Sequence, residues 1–376
     1  MAHNGNITSR LKKYKGCTFY VHSCRFNPPM RYLLTIAALL LLPGLSPAQK
    51  KQYKSAVIAF YNLENLFDTI NNTLINDEEF LPQGVRNYNT RIYADKLGKL
   101  ASVISQIGTD FNPDGPALLG VAEIENDTVL SDLVKQPLLA DKRYKWVHYD
   151  SKDARGVDVG LLYQPTYFTP EASDKIFVAL PSGAKDAYYT RDILWVKGKL
   201  DGETIHVYVN HWPSRSGGEK RSEPGRMAAA LACRKHVDSI LKTEPQAKIV
   251  IMGDLNDDPI NKSVSQVLKA NGDLTSSQQQ SLFNPWHELY RKGIGTLAYQ
   301  DAWGLFDQII LSRPWLSKEN GFFLYQNQVF NREFLVENNG RYKGYPMRTW
   351  DGNFYRGGYS DHFPSYLLVI KEIDKD

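Results

Sequence analysis

Cysteine is nearly absent from this chain, with three residues in 376. Two of them, Cys17 and Cys24, precede an apolar run at 33–42, so removal of the leader would leave Cys233 alone. That excludes an intramolecular disulfide and a cysteine-based zinc site in the remaining chain. Cys233 sits in a helical pattern, where a buried structural thiol is expected. Acidic residues are missing altogether from the first 48 positions, which carry six basic ones (Arg10, Lys12, Lys13, Lys15, Arg25, Arg31). The body therefore holds 39 basic against 41 acidic side chains, a formal net charge of −2. A body so balanced does not coat nucleic acid electrostatically, although a local basic cluster could still hold one phosphate. Long hydrophobic runs are also missing, since 33–42 falls well short of the roughly 20 residues needed to cross a bilayer. No repeat or low-complexity tract is evident.

What is present begins with that short run. Met30-Arg31-Tyr32, the apolar stretch and the small residues Ser46-Pro47-Ala48 have the order of a secretory signal peptide. We therefore expect an upstream extension or mis-assigned start over 1–29, a signal peptide over 30–48 cleaved near Ala48, and one catalytic domain over 49–376. The mature protein would be periplasmic or extracellular, with no transmembrane anchor. Past the leader, short β-rich runs recur at 56–60, 117–121, 144–149, 157–163, 193–199, 205–209, 249–252, 307–311 and 365–370. Helical spacing marks 93–107, behind a possible Thr90 cap, and 227–241, preceded by Pro224-Gly225. Many strands and few helices predict an α/β fold with two sheets face to face and helices outside. A polar loop is expected over 271–280.

Residues with catalytic chemistry stand at the ends of these strands. Asn62 and Glu64 follow the first, in Phe60-Tyr-Asn-Leu-Glu-Asn, and Glu123 follows the second. Asn210-His211-Trp-Pro-Ser-Arg215 and Gly253-Asp254-Leu-Asn256 close two more; Asp307 opens a strand and Ser360-Asp361-His362 precedes the last. Hard divalent cations take carboxylate and amide oxygens, which Glu123, Asp361 and Asn62 would supply. Asp254 and Asn256, two apart in an extended segment, face one side. Histidines such as His211 and His362 stabilise charge developing on phosphate oxygens, and stay cationic if a carboxylate holds the other ring nitrogen. Asp307 and Asp158 are candidates for that work. Lacking cysteine ligands and paired helical histidines, the set favours Mg²⁺ or Mn²⁺ over Zn²⁺.

Asn62, Glu123, His211, Asp254-x-Asn256, Asp307 and Asp361-His362, in this order from about residue 55 to 370, resemble the endonuclease/exonuclease/phosphatase superfamily and its exported bacterial branch. The resemblance implies a deoxyribonuclease-like four-layer α/β sandwich of two mixed sheets and a Mg²⁺-dependent phosphoester hydrolase. It makes Glu123 the principal metal ligand, with Asn62 and Asp361 nearby, and Asp254 the residue that orients or deprotonates water. Asn256 would support the scissile phosphate, His211 and His362 its oxygens, and Asp307 would orient His362. Asp158 would support His211, and Arg191 would contact phosphate. Arg215, with Lys220, Arg221 and Arg226, could form an anion-attracting rim, or only a solvated loop. A phosphate-ester substrate is implied, DNA or RNA among the options, and no stable protein partner. A phosphodiesterase or nuclease leads, with phosphomonoesterase, sugar- or inositol-phosphate hydrolase, sphingomyelinase-like lipid phosphodiesterase and a non-catalytic binding module as alternatives.

Glu64, Glu125, Asp257 and Asp258 read as loop caps or solvated acids, the aromatics at 322–330 as a buried strand pair, and two of Trp212, Tyr299 and Trp303 as core.

Overall fold

Alternation along the first strand explains the layering. In a computed structural model that describes residues 51–181, 189–273 and 281–373, the strand Gln52–Leu66 sends Ala56, Ile58 and Phe60 to one side and Val57, Ala59, Tyr61 and Leu63 to the other. Successive side chains of a strand point to opposite faces, so a strand apolar on both faces must be covered twice. The first set meets Val207, Val209, Val250 and Met252 of a second sheet; the second set packs under helices Thr90–Ile104 and Asp127–Val134. A third cluster, including Cys233, seats helix Glu219–Thr243 on the outer face of the second sheet. Helix, sheet, sheet and helix make a four-layer α/β sandwich.

The first sheet runs Phe323–Val329, Ser365–Ile373, Gln52–Leu66, Pro116–Ile124, Asp158–Tyr163 and Lys145–His148. The second runs Phe168–Ile176, Ile193–Leu200, Glu203–His211, Lys248–Asp254, Asp307–Leu311, Leu282–Phe283 and Ala270–Asn271. Each has one long parallel pair at its centre: Gln52–Leu66 with Pro116–Ile124, and Glu203–His211 with Lys248–Asp254. Their carboxyl ends lie at one edge of the sandwich, and their antiparallel neighbours start there, at Ser365 opposite Phe60 and at Asp307 opposite Asp254.

Most differences from expectation lie at element ends. Asn89, not Thr90, caps the first helix, its side chain accepting from the Arg91 and Ile92 backbone N–H groups. The second long helix begins at Glu219 with Pro224 inside it. Pro224 cannot donate a backbone bond, and Arg226 helps satisfy this turn by donating to the Glu219 carbonyl and the Ser222 hydroxyl. Strand Phe168–Ile176 gave no apolar signal because it is an exposed edge carrying Pro170 beside a bulge. Asn271 lies in a short strand rather than a loop, and 274–280 is outside the described residues. So are the upstream extension and signal peptide expected over 1–48. Cys233 is buried and free, as expected. No helix among the described residues is long and apolar enough to cross a membrane.

Two glycines of opposite character test this packing. A Cβ on Gly253 would sit 2.3 Å from the Asn210 carbonyl oxygen, where the parallel strands pair, and neither backbone can yield cheaply. A Cβ on Gly98, in helix Thr90–Ile104, would meet nothing within 4 Å. Gly253→Ala is expected to cost about 3 kcal/mol or more, whereas Gly98→Ala should add roughly 0.5–1 kcal/mol. Denaturant midpoints of the two variants check both signs.

Candidate active site

At the shared edge the two sheets hand their polar residues to one point. Asn62, fully buried at the end of the first strand, directs its Nδ2 at Glu123 Oε1 and at Asp254 Oδ2, 3.1 Å from each. Glu123 comes from the first sheet and Asp254 from the second. The amide oxygen of Asn62 accepts from the Glu64 backbone N–H at 2.9 Å, which fixes the side chain. The Asn65 N–H holds Glu123 Oε2 at 2.9 Å, and the Asn256 N–H holds Asp254 Oδ1 at 2.9 Å. One oxygen of each carboxylate is thereby tied to backbone and the other faces the shared point.

The backbone is distorted to achieve this. Glu123 has φ +60°, and the pairing of its strand with both neighbours shifts register across it. A bulge of this kind re-aims a side chain that a regular strand would bury. Asn256, at φ +50°, and Glu64 and Asn65, at +49° and +55°, also occupy the left-handed region. Asparagine adopts this region readily, so the strain lies at Glu123 and Glu64, at about 1–2 kcal/mol each, held in place by the surrounding hydrogen bonds.

The two histidines differ in charge. His362 Nδ1 is 2.7 Å from Asp307 Oδ2, and its Nε2 is 3.9 Å from Asp254 Oδ2. Burial opposes its charge, but Asp307 and Asp254 outweigh burial and hold its pKa well above the usual value. His211 has its Nε2 3.7 Å from Asp254 Oδ2 and 3.8 Å from Glu123 Oε1. Burial, with the positive charges of Arg191, Arg155 and His362 adding, pushes its pKa well below the usual value. His211 is therefore neutral beside a cationic His362. Its Nδ1 is buried with no hydrogen-bond partner among the described residues.

Asp158 is placed elsewhere than expected. Its Oδ1 accepts from the Ser151 N–H at 2.9 Å and its Oδ2 faces His148 at 3.6 Å. It starts its strand opposite Ile124, and its contacts are with the edge strand and loop rather than with His211. Arg191 is 2% exposed; it donates to the His211 carbonyl at 3.0 Å and to the Trp212 carbonyl, and pairs with Asp153 at 3.2 Å. It shapes the backbone behind His211 rather than presenting a face to substrate. Arg215 lies over the Phe306 ring and against Asp257, Asp258 and Glu219, three carboxylates that neutralise it, so the rim it was expected to supply is occupied by its own neighbours. The Asn256 amide donates to the Trp212 carbonyl at 2.9 Å, so that residue braces Asp254 and the His211 turn together. Asp361 stands at the mouth, 4.0 Å from His362 Nε2 and paired with Arg348 at 3.0 Å.

Several contributors lacked a sequence signal. Glu64 caps a loop, one of the two expected roles, but from a buried position and far along the chain: it receives the Thr349 and Trp350 N–H groups at 2.6 and 3.1 Å. Burial and nearby Asp361 push its pKa up to about 7. Fully buried Lys96 donates to Thr349 Oγ1 at 2.9 Å, and burial lowers its pKa to about 8. Glu64 ties the 348–350 segment, and with it Arg348, to the first strand, and Lys96 ties it to helix Thr90–Ile104. Only Glu64, inside the strand-end segment, was visible; Lys96 reads as an exposed position, and Arg348 lies in an irregular stretch. Glu125 and Asp258 do cap backbone, accepting from the Asp68 and Leu305 N–H groups, whereas buried Asp257 accepts from the Ser263 hydroxyl and pairs with Arg226. Of the three aromatics, only Trp212 is core; Trp303 is 39% and Tyr299 72% exposed.

The residues fit a divalent cation. Glu123, His211 and Asp254 each offer a ligand atom, all within 4.8 Å of one another. Burial raises the pKa of Asp254 to about 7, with Asp307 and Glu123 adding to the effect of burial and His362 opposing it, so the point carries a surplus of negative charge. Residues 57–371 match the model of the Endonuclease/Exonuclease/phosphatase family. The chain belongs to that family. Its members are phosphoester hydrolases. Solved structures share the fold at low identity. A family protein from Bacteroides thetaiotaomicron superposes with a TM-score of 0.53 at 17% identity, over 86% of this chain and 100% of that one. A mannosyl-6-phosphatase of Bacteroides thetaiotaomicron does so at 0.51 and 16%, over 84% and 99%. TDP2 of D. rerio, complexed with a single-strand DNA product, does so at 0.50 and 14%, over 84% and 99%. No curated protein sequence matches the chain significantly.

The contrast between two aspartates is testable. Asp307→Asn keeps the shape at His362 but removes the charge that holds it cationic, and is expected to lower kcat roughly 100-fold or more. Asp158→Asn should leave kcat near that of the parent. Equal losses in steady-state assays would return Asp158 to the catalytic group.

Proposed function

We propose that this chain is an exported phosphodiesterase that hydrolyses a phosphate ester by in-line attack of water with the help of Mg²⁺ or Mn²⁺. The observation that carries the reading is the position of Asp254 Oδ2, which faces Asn62, His211 and His362 at 3.1, 3.7 and 3.9 Å. A carboxylate so placed can orient water and take its proton, while cationic His362 donates to the phosphate oxygen on which charge develops. His211, neutral, can donate or accept at the same group, and Asp307 keeps His362 protonated. A divalent cation would be held by Glu123 with Asp254 facing it from the second sheet, Asp361 at the rim and Asn62 joining through its amide oxygen once that is turned inward, and would supply Lewis-acid neutralisation of phosphate charge. Export rests on the leader at 30–48, and a single catalytic domain would follow it.

The scarcity of cations favours a diester, which carries one negative charge. Among the described residues near the site, Arg348 is paired with Asp361 and Arg155 with Asp153, while Arg191 and Arg215 are engaged elsewhere. Nucleic acid is the first substrate to try, as with the TDP2 whose structure holds a DNA product. The aromatics at 322–330 are mainly buried, which argues against a lipid-touching hairpin. A second reading, a sugar-phosphate monoester as for the mannosyl-6-phosphatase, is supported by Trp303, half exposed and stacked on Phe363 beside His362. Such a ring suits a sugar or a base equally.

A panel of plasmid DNA, bis(p-nitrophenyl) phosphate, p-nitrophenyl phosphate and sphingomyelin, assayed with Mg²⁺ and with chelator, separates these readings. The diester should be cut faster than the monoester, and only with metal. Glu123→Gln should abolish most of that activity with a thermal midpoint near the parent's. Faster monoester turnover moves the substrate to the second reading, and chelator-insensitive turnover contradicts the metal-dependent mechanism.

A further inference from the structure

The edge strand Lys145–His148 ends in a second group of ligand-type side chains, one of which, Asp158, starts its strand opposite Ile124, beside Glu123. His148 Nε2, Asp150 and Asp158 each present a ligand atom, all within 4.8 Å of one another. The His148 side chain is 2% exposed, yet its Nε2 has no hydrogen-bond partner among the described residues. It points between Asp158 Oδ2, at 3.6 Å, and Asp150 Oδ1, at 3.9 Å. These separations are too long for hydrogen bonds. Three ligands about 2.1 Å from one tetrahedral ion stand roughly 3.4 Å apart, so modest closure suffices. The other sides of the group are already fixed. The Ser151 N–H holds Asp158 Oδ1 at 2.9 Å, leaving Oδ2 for the shared point. His148 Nδ1 lies 3.4 Å from Asp127 Oδ1, which is itself held by Trp146 Nε1 at 2.7 Å. A carboxylate behind one ring nitrogen orients the imidazole so that the other presents its lone pair, as behind metal-bound histidines. The neighbouring cation, Lys175, is 3.6 Å from Asp192 Oδ2 and donates to the Asp150 carbonyl.

We infer that His148, Asp150 and Asp158 form a zinc-class cation site, distinct from the active centre, with Asp127 as the carboxylate behind the histidine. One imidazole with two carboxylates is a borderline donor set that suits Zn²⁺ better than Mg²⁺. Asp150 is 85% exposed, so solvent completes the coordination from outside. The ion would clamp the loop 149–157 to the strands on either side. That loop carries Asp153, which pairs with Arg191 at 3.2 Å, and Arg191 donates to the His211 carbonyl at 3.0 Å. The clamp would therefore steady that loop without touching substrate.

Calorimetric titration of the chain with ZnCl₂ tests this in a Glu123→Gln background, which weakens zinc binding at the active centre. That parent should bind one more zinc ion per chain than the same chain carrying His148→Gln. Asp127→Asn should weaken this ion about 10- to 100-fold, the usual effect of losing a carboxylate behind a ligand. Asp150→Asn, at an exposed position that cannot compromise folding, should weaken it as well. Identical stoichiometry and affinity in the parent, His148→Gln and Asp150→Asn would overturn the site and leave His148 as a protonated partner of its carboxylates. Should His148→Gln fail to fold, unchanged binding in Asp150→Asn and Asp127→Asn overturns it equally. No activity is read, so the outcome is independent of the phosphodiesterase assignment.

Discussion

One side-chain amide links carboxylates of the two sheets at the site. Asn62 donates to Glu123 from its own sheet and to Asp254 from the facing one. Two buried or half-buried carboxylates at one point repel, and burial makes the repulsion worse. The amide, the backbone N–H groups of Asn65 and Asn256 and cationic His362 offset that cost from different directions. The sandwich topology makes it geometrically possible, since the central parallel strands of both sheets end at the same edge and their antiparallel partners begin there.

The residual negative charge gives the site its chemistry. Packing alone would not favour Glu123 on a bulge at φ +60°, or Asp254 at a pKa of about 7. Strain and poor solvation of this kind persist where the surrounding structure over-determines them. The unlike histidines follow from the same field. Asp307 stands behind His362, whereas burial first, and then the positive charges of Arg191, Arg155 and His362, disfavour charge on His211. One ring is kept cationic and the other neutral although their Nε2 atoms face the same carboxylate oxygen.

The architecture was legible because alternation and helical spacing are local. Asp307–Leu311 begins and ends where its pattern says, and the central strands were found, if a few residues short. What failed depended on partners distant in sequence. The edge strand Phe168–Ile176 is held by its pairing with Ile193–Leu200, not by apolar residues of its own. The helix starts at Glu219, ahead of Pro224, where Arg226 reaches back to the Glu219 carbonyl. At the site, residue type and strand-end position identified Asn62, Glu123, His211, Asp254 and His362, which the fold brings together. Which way a side chain turns was not legible. Asp158 faces the edge strand, Arg191 faces backbone carbonyls, and Arg215 is taken up by acids from the segment after Asp254. Glu64 and Lys96, which anchor the Arg348 segment, could not be told from surface charges before their burial was seen.

The central claim is that carboxylates from two sheets converge to hold a divalent cation. The most direct test is the thermal midpoint of the parent chain and of Asp254→Asn across a Mg²⁺ titration. A ligand that binds only the folded state raises the midpoint in step with its occupancy. A saturable rise in the parent that is much reduced in Asp254→Asn is the expected result. Equal rises in both chains, or none in the parent at millimolar Mg²⁺, would contradict it.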